Sequence, residues 1–338
     1  MDLMVNIDIK RPSRQINYRE KILLIGSCFT EHIGNSLEEL KFSVLQNPNG
    51  ILFDAYSVCN ALLSYIQNKK FTERDFFQLN DAWHSWRYHS RYSHVDLKEA
   101  VRLVNESQEN AHHFLKDTTW IIITLGSAFS YRLTNQTVKT ADLLMASSDL
   151  ELGVSNCHRA PAQWFTKHLM SIDEIISSLN DCLRKLFEFN PRANVIFTVS
   201  PVRHIRDGVV DNNRSKARLI ESVHQVAAQS DKLYYFPAYE LVIDVLRDYR
   251  FYDIDLVHPN YMATEFVLEK FTAAYIDEYS RNLMEEVKSV VTARKHKALQ
   301  PATNAHKQFL QSQLEKTKKL CRAYPFLNLQ DELTYFQS

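Results

Sequence analysis

Three residues have the types and spacing for nucleophilic chemistry: Ser27, Asp255 and His258. Ser27 follows Gly26 at the end of the short apolar run Lys21-Ile22-Leu23-Leu24-Ile25. A serine hydroxyl attacks a carbonyl only where a base takes its proton and donors receive the developing oxyanion. A serine at a strand–helix junction is well placed for this, with its N–H at the helix-terminal anion site. The same position also suits a plain helix cap, because serine is a preferred N-cap residue. Far downstream, Asp255 stands three residues before His258 in Asp253-Ile254-Asp255-Leu256-Val257-His258-Pro259. An aspartate so placed can orient the imidazole and stabilise it as imidazolium, leaving the other ring nitrogen to face the serine. Asp253 is a second candidate for the acid. In a chain with 13 histidines, an Asp-x-x-His also arises by chance.

Other side chains offer weaker chemistry. In Asn156-Cys157-His158-Arg159 the thiol is a conceivable nucleophile, but no acid stands behind His158, which favours pocket lining or a structural role. Arg203 and His204 follow an apolar run and suit a polar substrate or a structural ion pair equally. His84, His89 and His94 recur among Trp83, Trp86, Tyr88 and Tyr92. A metal site requires three converging ligands, which this spacing does not supply, and packing accounts for the aromatics better than a sugar-stacking wall. No Gly-x-x-x-x-Gly-Lys is present, so no phosphate loop is expected.

The elements that must position these residues follow from periodicity. Lys21–Ile25 and Thr118–Leu125 are continuous apolar runs, as in strands buried on both faces. Phe42–Leu45, Asn194–Val199 and Leu233–Phe236 read as further strands. Phe129–Lys139 reads as a hairpin around Thr134-Asn135-Gln136. Helical spacing predicts helices over 30–40, 54–67 with Asp54 as cap, 96–116, 171–189 with Ser171 or Asp173 as cap, 214–230 and 260–279. Asn212-Asn213-Arg214-Ser215-Lys216 would cap the 214–230 helix. Residues 1–20 read as a polar surface segment, and 71–95 as an aromatic, histidine-rich loop or hairpin inserted between helices. The alternation of strands and helices predicts an α/β three-layer fold with a mainly parallel sheet. Ligands in such folds sit at the carboxyl ends of strands. Gly26-Ser27, Asn49-Gly50, Gly126-Ser127 and Ser200-Pro201 all fall at such ends.

Composition excludes other classes. The chain of 338 residues balances 40 basic against 40 acidic side chains, which gives no electrostatic case for nucleic acid or an anionic membrane. Five scattered cysteines without a Cys-x-x-Cys argue against a zinc ribbon or disulfide scaffold. No apolar run approaches the roughly 20 residues of a membrane span. The N-terminus lacks a signal-peptide pattern, so a cytoplasmic protein is expected. The charged segment 281–338 reads as helical, broken near Gln300-Pro301, with Phe326 and Leu327 able to pack back on the domain.

Gly26-Ser27-Cys28-Phe29-Thr30 resembles the signature of the GSCFA family, within the SGNH/GDSL-type hydrolase superfamily, with threonine where that name has alanine. Asn47-Pro48-Asn49-Gly50, Thr124-Leu125-Gly126-Ser127-Ala128, Asn156-Cys157-His158-Arg159-x-Pro161, Ser200-Pro201-Val202-Arg203-His204 and Asp255-x-x-His258-Pro259 are similar to that family's blocks, in the same order, over roughly 21–265. The resemblance implies a flavodoxin-like catalytic domain over 1–280, with the insertion at about 71–95, and a helical C-terminal extension over 281–338. It also implies a triad of Ser27, Asp255 and His258. An oxyanion hole is implied from the Ser27 N–H, the Gly50 N–H and a third donor. The superfamily's asparagine position holds Ala128, so Asn156, Asn49 or the Ser127 hydroxyl supplies that donor, or the hole is weaker. His84, His158, Arg203 and His204 are candidate substrate-binding residues. The implied reaction is hydrolysis of a small acyl ester, an acetyl group on carbohydrate for example, without metal or cofactor. Acyl transfer through the same serine, and a non-catalytic glycan- or protein-binding module, are the alternatives.

Overall fold

The computed structural model describes residues 4–134, 153–296 and 300–337. At its centre lies a parallel sheet of five strands: β1 (Lys21–Gly26), β2 (Ser43–Gln46), β3 (Thr118–Leu125), β4 (Asn194–Val199) and β5 (Leu233–Tyr235). Their order across the sheet is β2-β1-β3-β4-β5. This is the flavodoxin-like order, in which the chain reverses its winding between β1 and β3 and leaves a crevice at their carboxyl ends. Gly26 pairs with Thr124, and Thr124 with Thr198, so those ends are level with one another.

Period-two alternation sends neighbouring side chains to opposite faces. Ile22, Leu24, Trp120, Ile122 and Ile196 point to one side. There they pack with Phe29, Ile33 and Leu37 of α1 (Cys28–Glu39), and with Val267 and Phe271 of a later helix, Tyr261–Tyr275. Leu23, Ile25, Ile121, Ile123 and Phe197 point to the other side. They meet α2 (Ala55–Gln67), α3 (Leu97–Asp117), α4 (Ile172–Phe189) and α5 (Val209–Ala227). Asp54 and Ser171 cap α2 and α4 as expected, the latter in a capping box with Glu174.

The inserted segment is a hairpin, Phe77–Leu79 with Ala82–His84. Its aromatics pack inward: Trp86 stacks on Phe77 with ring centroids 3.6 Å apart, and Tyr88 is buried against Phe71. Phe129–Leu133 does form a strand, but it pairs with Phe165–Leu169. The expected turn at Thr134-Asn135-Gln136 falls largely outside the described residues.

Three expectations about the flanks are corrected. Residues 1–20 are not wholly superficial: Ile16 bridges to Ile276, and Ile16, Tyr18 and Glu20 are buried. The helix expected over 260–279 is two, α6 (Tyr261–Tyr275) and α7 (Glu278–Lys295), because that bridge takes Ile276 into extended backbone and Asp277 caps the second helix. Helix α5 starts at Val209, so Asn212–Lys216 lie inside it and do not cap it.

The C-terminal helices α8 (Asn304–Ala323) and α9 (Gln330–Gln337) dock on the α1 side through Leu320, Leu327, Leu329 and Phe336. The buried Glu332 carboxylate of α9 sits 3.2 Å from Arg294 of α7 and 3.0 Å from Lys41, just after α1.

Candidate active site

The β1–α1 junction is built by backbone. Gly26 has φ +142°, and a Cβ there would lie 2.1 Å from Thr124 O, so only glycine fits. Asn47 closes the junction from the next block: its Oδ1 accepts the Gly26 N–H at 2.9 Å. Leu52 N–H donates to Gly26 O, and Phe53 O accepts from the N–H groups of Gly126 and Ser127. The loop after β2 thus crosses both strand ends of the crevice. At Gly126 a Cβ would lie 3.2 Å from Ser27 Cβ and from the Phe53 ring. The absence of a side chain there lets the three segments meet.

Ser27 occupies the N-cap position of α1, but its side chain makes no capping bond. The residue is 1% exposed, and its Oγ has no hydrogen-bond partner among the described residues. The buried hydroxyls of Thr30, Thr124 and Thr198 share that condition. An unpaired buried hydroxyl costs about 1–3 kcal/mol, and none of these four gains a protein partner against that cost among the described residues.

Asp255 and His258 form a different kind of structure. Asp255 Oδ2 is 2.6 Å from His258 Nδ1, while Oδ1 accepts the N–H groups of Val257 and His258 at 2.9 and 3.0 Å. These bonds, chiefly those from His258, hold the Asp255 carboxyl down to about 2. Nδ1 is thereby fixed as the donor, and Nε2 has no protein partner among the described residues. Both side chains are nearly half exposed, at 46% and 44%. The loop faces the start of α1: charge on His258, after burial, is a cause of the lowered His32 pKa. Ser27 Oγ and His258 are not hydrogen-bonded in this conformation. Asp253 uses its backbone N–H on His258 O, which closes the same loop.

A cleft of about 600 Å³ opens beside Asp255 and His258, and the buried Ser27 is not among its lining residues. Its wall includes Phe53, Ser127, Tyr131, Asn156, Arg203 and His258. Among the described residues no cluster of histidine, cysteine or carboxylate side chains is fit to hold a metal ion.

The expected oxyanion donors fare differently. The Ser27 N–H is spent on Thr124 O at 3.0 Å, because the β1–β3 ladder runs one residue past Gly26. The Gly50 N–H closes a turn on Asn47 O at 2.7 Å. Asn49 is buried, its amide donating to Arg87 O to tie the insertion to the sheet. Ser127 and Asn156 do line the cleft. Ser127 Oγ accepts the Phe129 N–H and lies 3.4 Å from Ser215 Oγ. Asn156 Oδ1 accepts the His158 N–H, leaving its amide nitrogen without a protein partner among the described residues.

Two candidate binding residues have both ring nitrogens engaged within the chain. His84 uses both ring nitrogens inside the insertion, on Ser93 Oγ and Leu79 O. His158 is buried and does the same with Ser90 Oγ and Ser85 O, and burial pushes its pKa down to about 4. Cys157 lines the cleft, but burial pushes its thiol up to about 11, the opposite of an activated nucleophile. Arg203 and His204 line the cleft.

Lys216 escaped the sequence reading. It is buried, with no carboxylate partner among the described residues, and its Nζ donates at 2.6 Å to both Gly126 O and Ser200 O. Its neighbour Ser215 accepts the Ala128 N–H at 2.7 Å. One turn of α5 thus clamps the Gly126-Ser127-Ala128 turn to the end of β4. Burial lowers the lysine to about 7. His204, also on Gly126 O at 2.9 Å, falls to about 4 through burial and then the Lys216 charge. A lysine inside an otherwise polar run of α5 gives no periodic signal, and only the strand ends it meets reveal its role.

A family model described as the GSCFA family matches residues 21–271, and one described as the GSCFA domain protein C-terminal domain matches 287–338. No curated protein matches in sequence. Among solved structures, a carbohydrate esterase family 3 from Talaromyces cellulolyticus aligns at 13% identity over 80% of this chain and 99% of that one, with a TM-score of 0.35. An acetyl esterase mutant with acetate ion aligns at 14% identity over 80% and 99%, with a TM-score of 0.36. An acetyl xylan esterase from the rumen bacterium Butyrivibrio proteoclasticus aligns at 11% identity over 81% and 66%, with a TM-score of 0.34.

Proposed function

The chain belongs to the GSCFA family, and on that premise we propose that it is a serine-dependent esterase that removes a small acyl group, acetyl for choice, from a carbohydrate. The observation that carries this reading is the 2.6 Å bond that His258 Nδ1 donates to Asp255, which leaves Nε2 without a protein partner among the described residues on the wall of the cleft. In the proposed reaction Ser27 Oγ attacks the acyl carbon and its proton passes to His258 Nε2. The proton then goes to the departing alcohol oxygen, leaving an acyl-Ser27. Water, deprotonated by the same nitrogen, attacks the acyl carbon, and the acid leaves as Ser27 regains its proton. Asp255 remains a carboxylate throughout and stabilises the imidazolium. The Ser127 hydroxyl and the Asn156 amide are the proposed oxyanion donors.

The Ser27–His258 hydrogen bond must form on substrate binding, as such bonds often tighten only in the complex. Of the two partners His258 is the exposed one, at 44% against 1% for Ser27, so its loop is the element proposed to adjust. The engaged N–H groups of Ser27 and Gly50 favour a second reading, a non-catalytic binding module that keeps the fold. Hydrolysis of 4-nitrophenyl acetate by the full chain and by Ser27→Ala separates the two. Turnover by the native chain alone supports the esterase, and equal inertness of both supports the module. Adding a sugar acceptor to an active enzyme tests acyl transfer, through the appearance of an acylated sugar.

A further inference from the structure

The cleft wall carries three carboxylates, and each has a partner within the chain. Asp54 caps α2, its carboxylate bound by the Ser57 N–H and hydroxyl at 2.9 and 2.7 Å. Asp207 is ion-paired with Lys167, whose ammonium also lies 3.9 Å from the centre of the Phe129 ring. Asp255 is bound to His258. The same wall carries two guanidinium groups, Arg203 and Arg206, and neither makes an ion pair among the described residues. Arg203 is held in place without being neutralised: its guanidinium lies over the Tyr252 ring, 5.4 Å from the centroid. Its backbone N–H reaches Val257 O at 3.3 Å, which ties it to the loop that bears His258. Phe53, Phe129 and Tyr131 add aromatic surface to the wall.

A guanidinium fork pairs bidentately with a carboxylate or phosphate, and this wall offers two forks with their own acids engaged elsewhere. A volume of about 600 Å³ is within the range of small-molecule sites and admits a sugar. We propose that the cleft selects esters whose alcohol portion carries an anionic group, a carboxylate or phosphate on an acylated sugar, held by Arg203 and Arg206 beside the aromatic wall. This rests on the esterase reading for the acyl group, but not for the binding of the anion.

The test has a binding arm and a turnover arm, both with the full chain. Calorimetric titration with glucuronic acid, glucose 6-phosphate and glucose reads the alcohol side alone. At least one of the two anions should bind about tenfold or more tightly than glucose, the scale of one charge-assisted pair, and the better one reveals which group is preferred. That advantage should shrink in Arg203→Gln and Arg206→Gln and with added salt. Equal binding of the three, or an advantage indifferent to both variants, overturns the proposal. In the turnover arm, mono-O-acetyl forms of the three sugars are compared, and the preference should lie mainly in KM. Turnover without preference sinks the anion site and leaves the esterase standing. Arginine-dependent anion binding without turnover of any ester, 4-nitrophenyl acetate included, keeps the anion site and sinks the esterase.

Discussion

Ser27 and His258 come from regions built on opposite principles. The β1–α1 junction is made by backbone: glycines at 26 and 126, a ladder bond to Thr124 and a crossing loop leave Ser27 buried with a hydroxyl that has no partner among the described residues. The 253–259 loop is gathered by one side chain beside the backbone bond from the Asp253 N–H to His258 O. Asp255 gathers two N–H groups and an imidazole into an exposed knot. The first region therefore has stability to lose when its geometry is disturbed, and the second has mainly orientation to lose. Substitutions should separate these two currencies.

The sharpest separation is expected at Ser27 itself. Ser27→Ala should lower turnover on the order of 10⁶-fold, as removal of a triad nucleophile does, and adding His258→Ala should cost little more. The same change deletes an unpaired buried hydroxyl, so the chain should become more stable by about 1 kcal/mol in urea unfolding. A loss of stability would mean that the hydroxyl is structural. Next, Asp255→Asn should lower kcat about 10⁴-fold by releasing the imidazole from its tautomer, with only a small fall in the urea midpoint because the pair is exposed. Because the carboxyl sits at about 2, low by way of its bonds to His258 and Val257, it stays charged and bound at neutral pH. Its contribution should fade only as pH falls below the ordinary value of 3.8 toward 2.

Gly26→Ala should act on the other region, costing about 3 kcal/mol from strain and overlap with Thr124 O. Unchanged stability would show that the ladder yields more easily than its distances suggest. The smallest effect concerns Lys216. Below about 7 the lysine is protonated in folded and unfolded chains alike. Between about 7 and 10.5 only the unfolded chain keeps the proton, so this group makes stability rise with pH in that window. The slope is at most about 1.4 kcal/mol per pH unit. It should be absent in Lys216→Met, as read by urea midpoints across that range. A neutral amine still has two protons for Gly126 and Ser200, so the clamp survives the titration.

The sequence revealed most where chemistry and periodicity coincide. The strands that end at Gly26, Leu125 and Val199 announce themselves by continuous apolar runs, and the capped starts of α2 and α4 by Asp54 and Ser171. Asp255 and His258 were legible because an i, i+3 pair in one loop meets by local geometry alone. What stayed hidden depends on distant partners. His84 and His158 look free in sequence, but their ring nitrogens are taken by carbonyls and hydroxyls of the folded insertion. The Ser27 N–H looked available because nothing in the chain announces that the β1 ladder continues past Gly26. Lys216 sits among polar residues, and its burial is decided by two strand ends that converge on it from 90 and 16 residues away.

The central claim is that Ser27 is a nucleophile that His258 can activate, although the two are not hydrogen-bonded in this conformation. Incubation of the full chain with a serine-directed fluorophosphonate, followed by peptide mass analysis, measures this most directly. We expect one adduct, on Ser27, absent from Ser27→Ala and much slower to form in His258→Ala. A native chain whose Ser27 stays unlabelled while its fold is intact, or labels equally fast without His258, would contradict the claim.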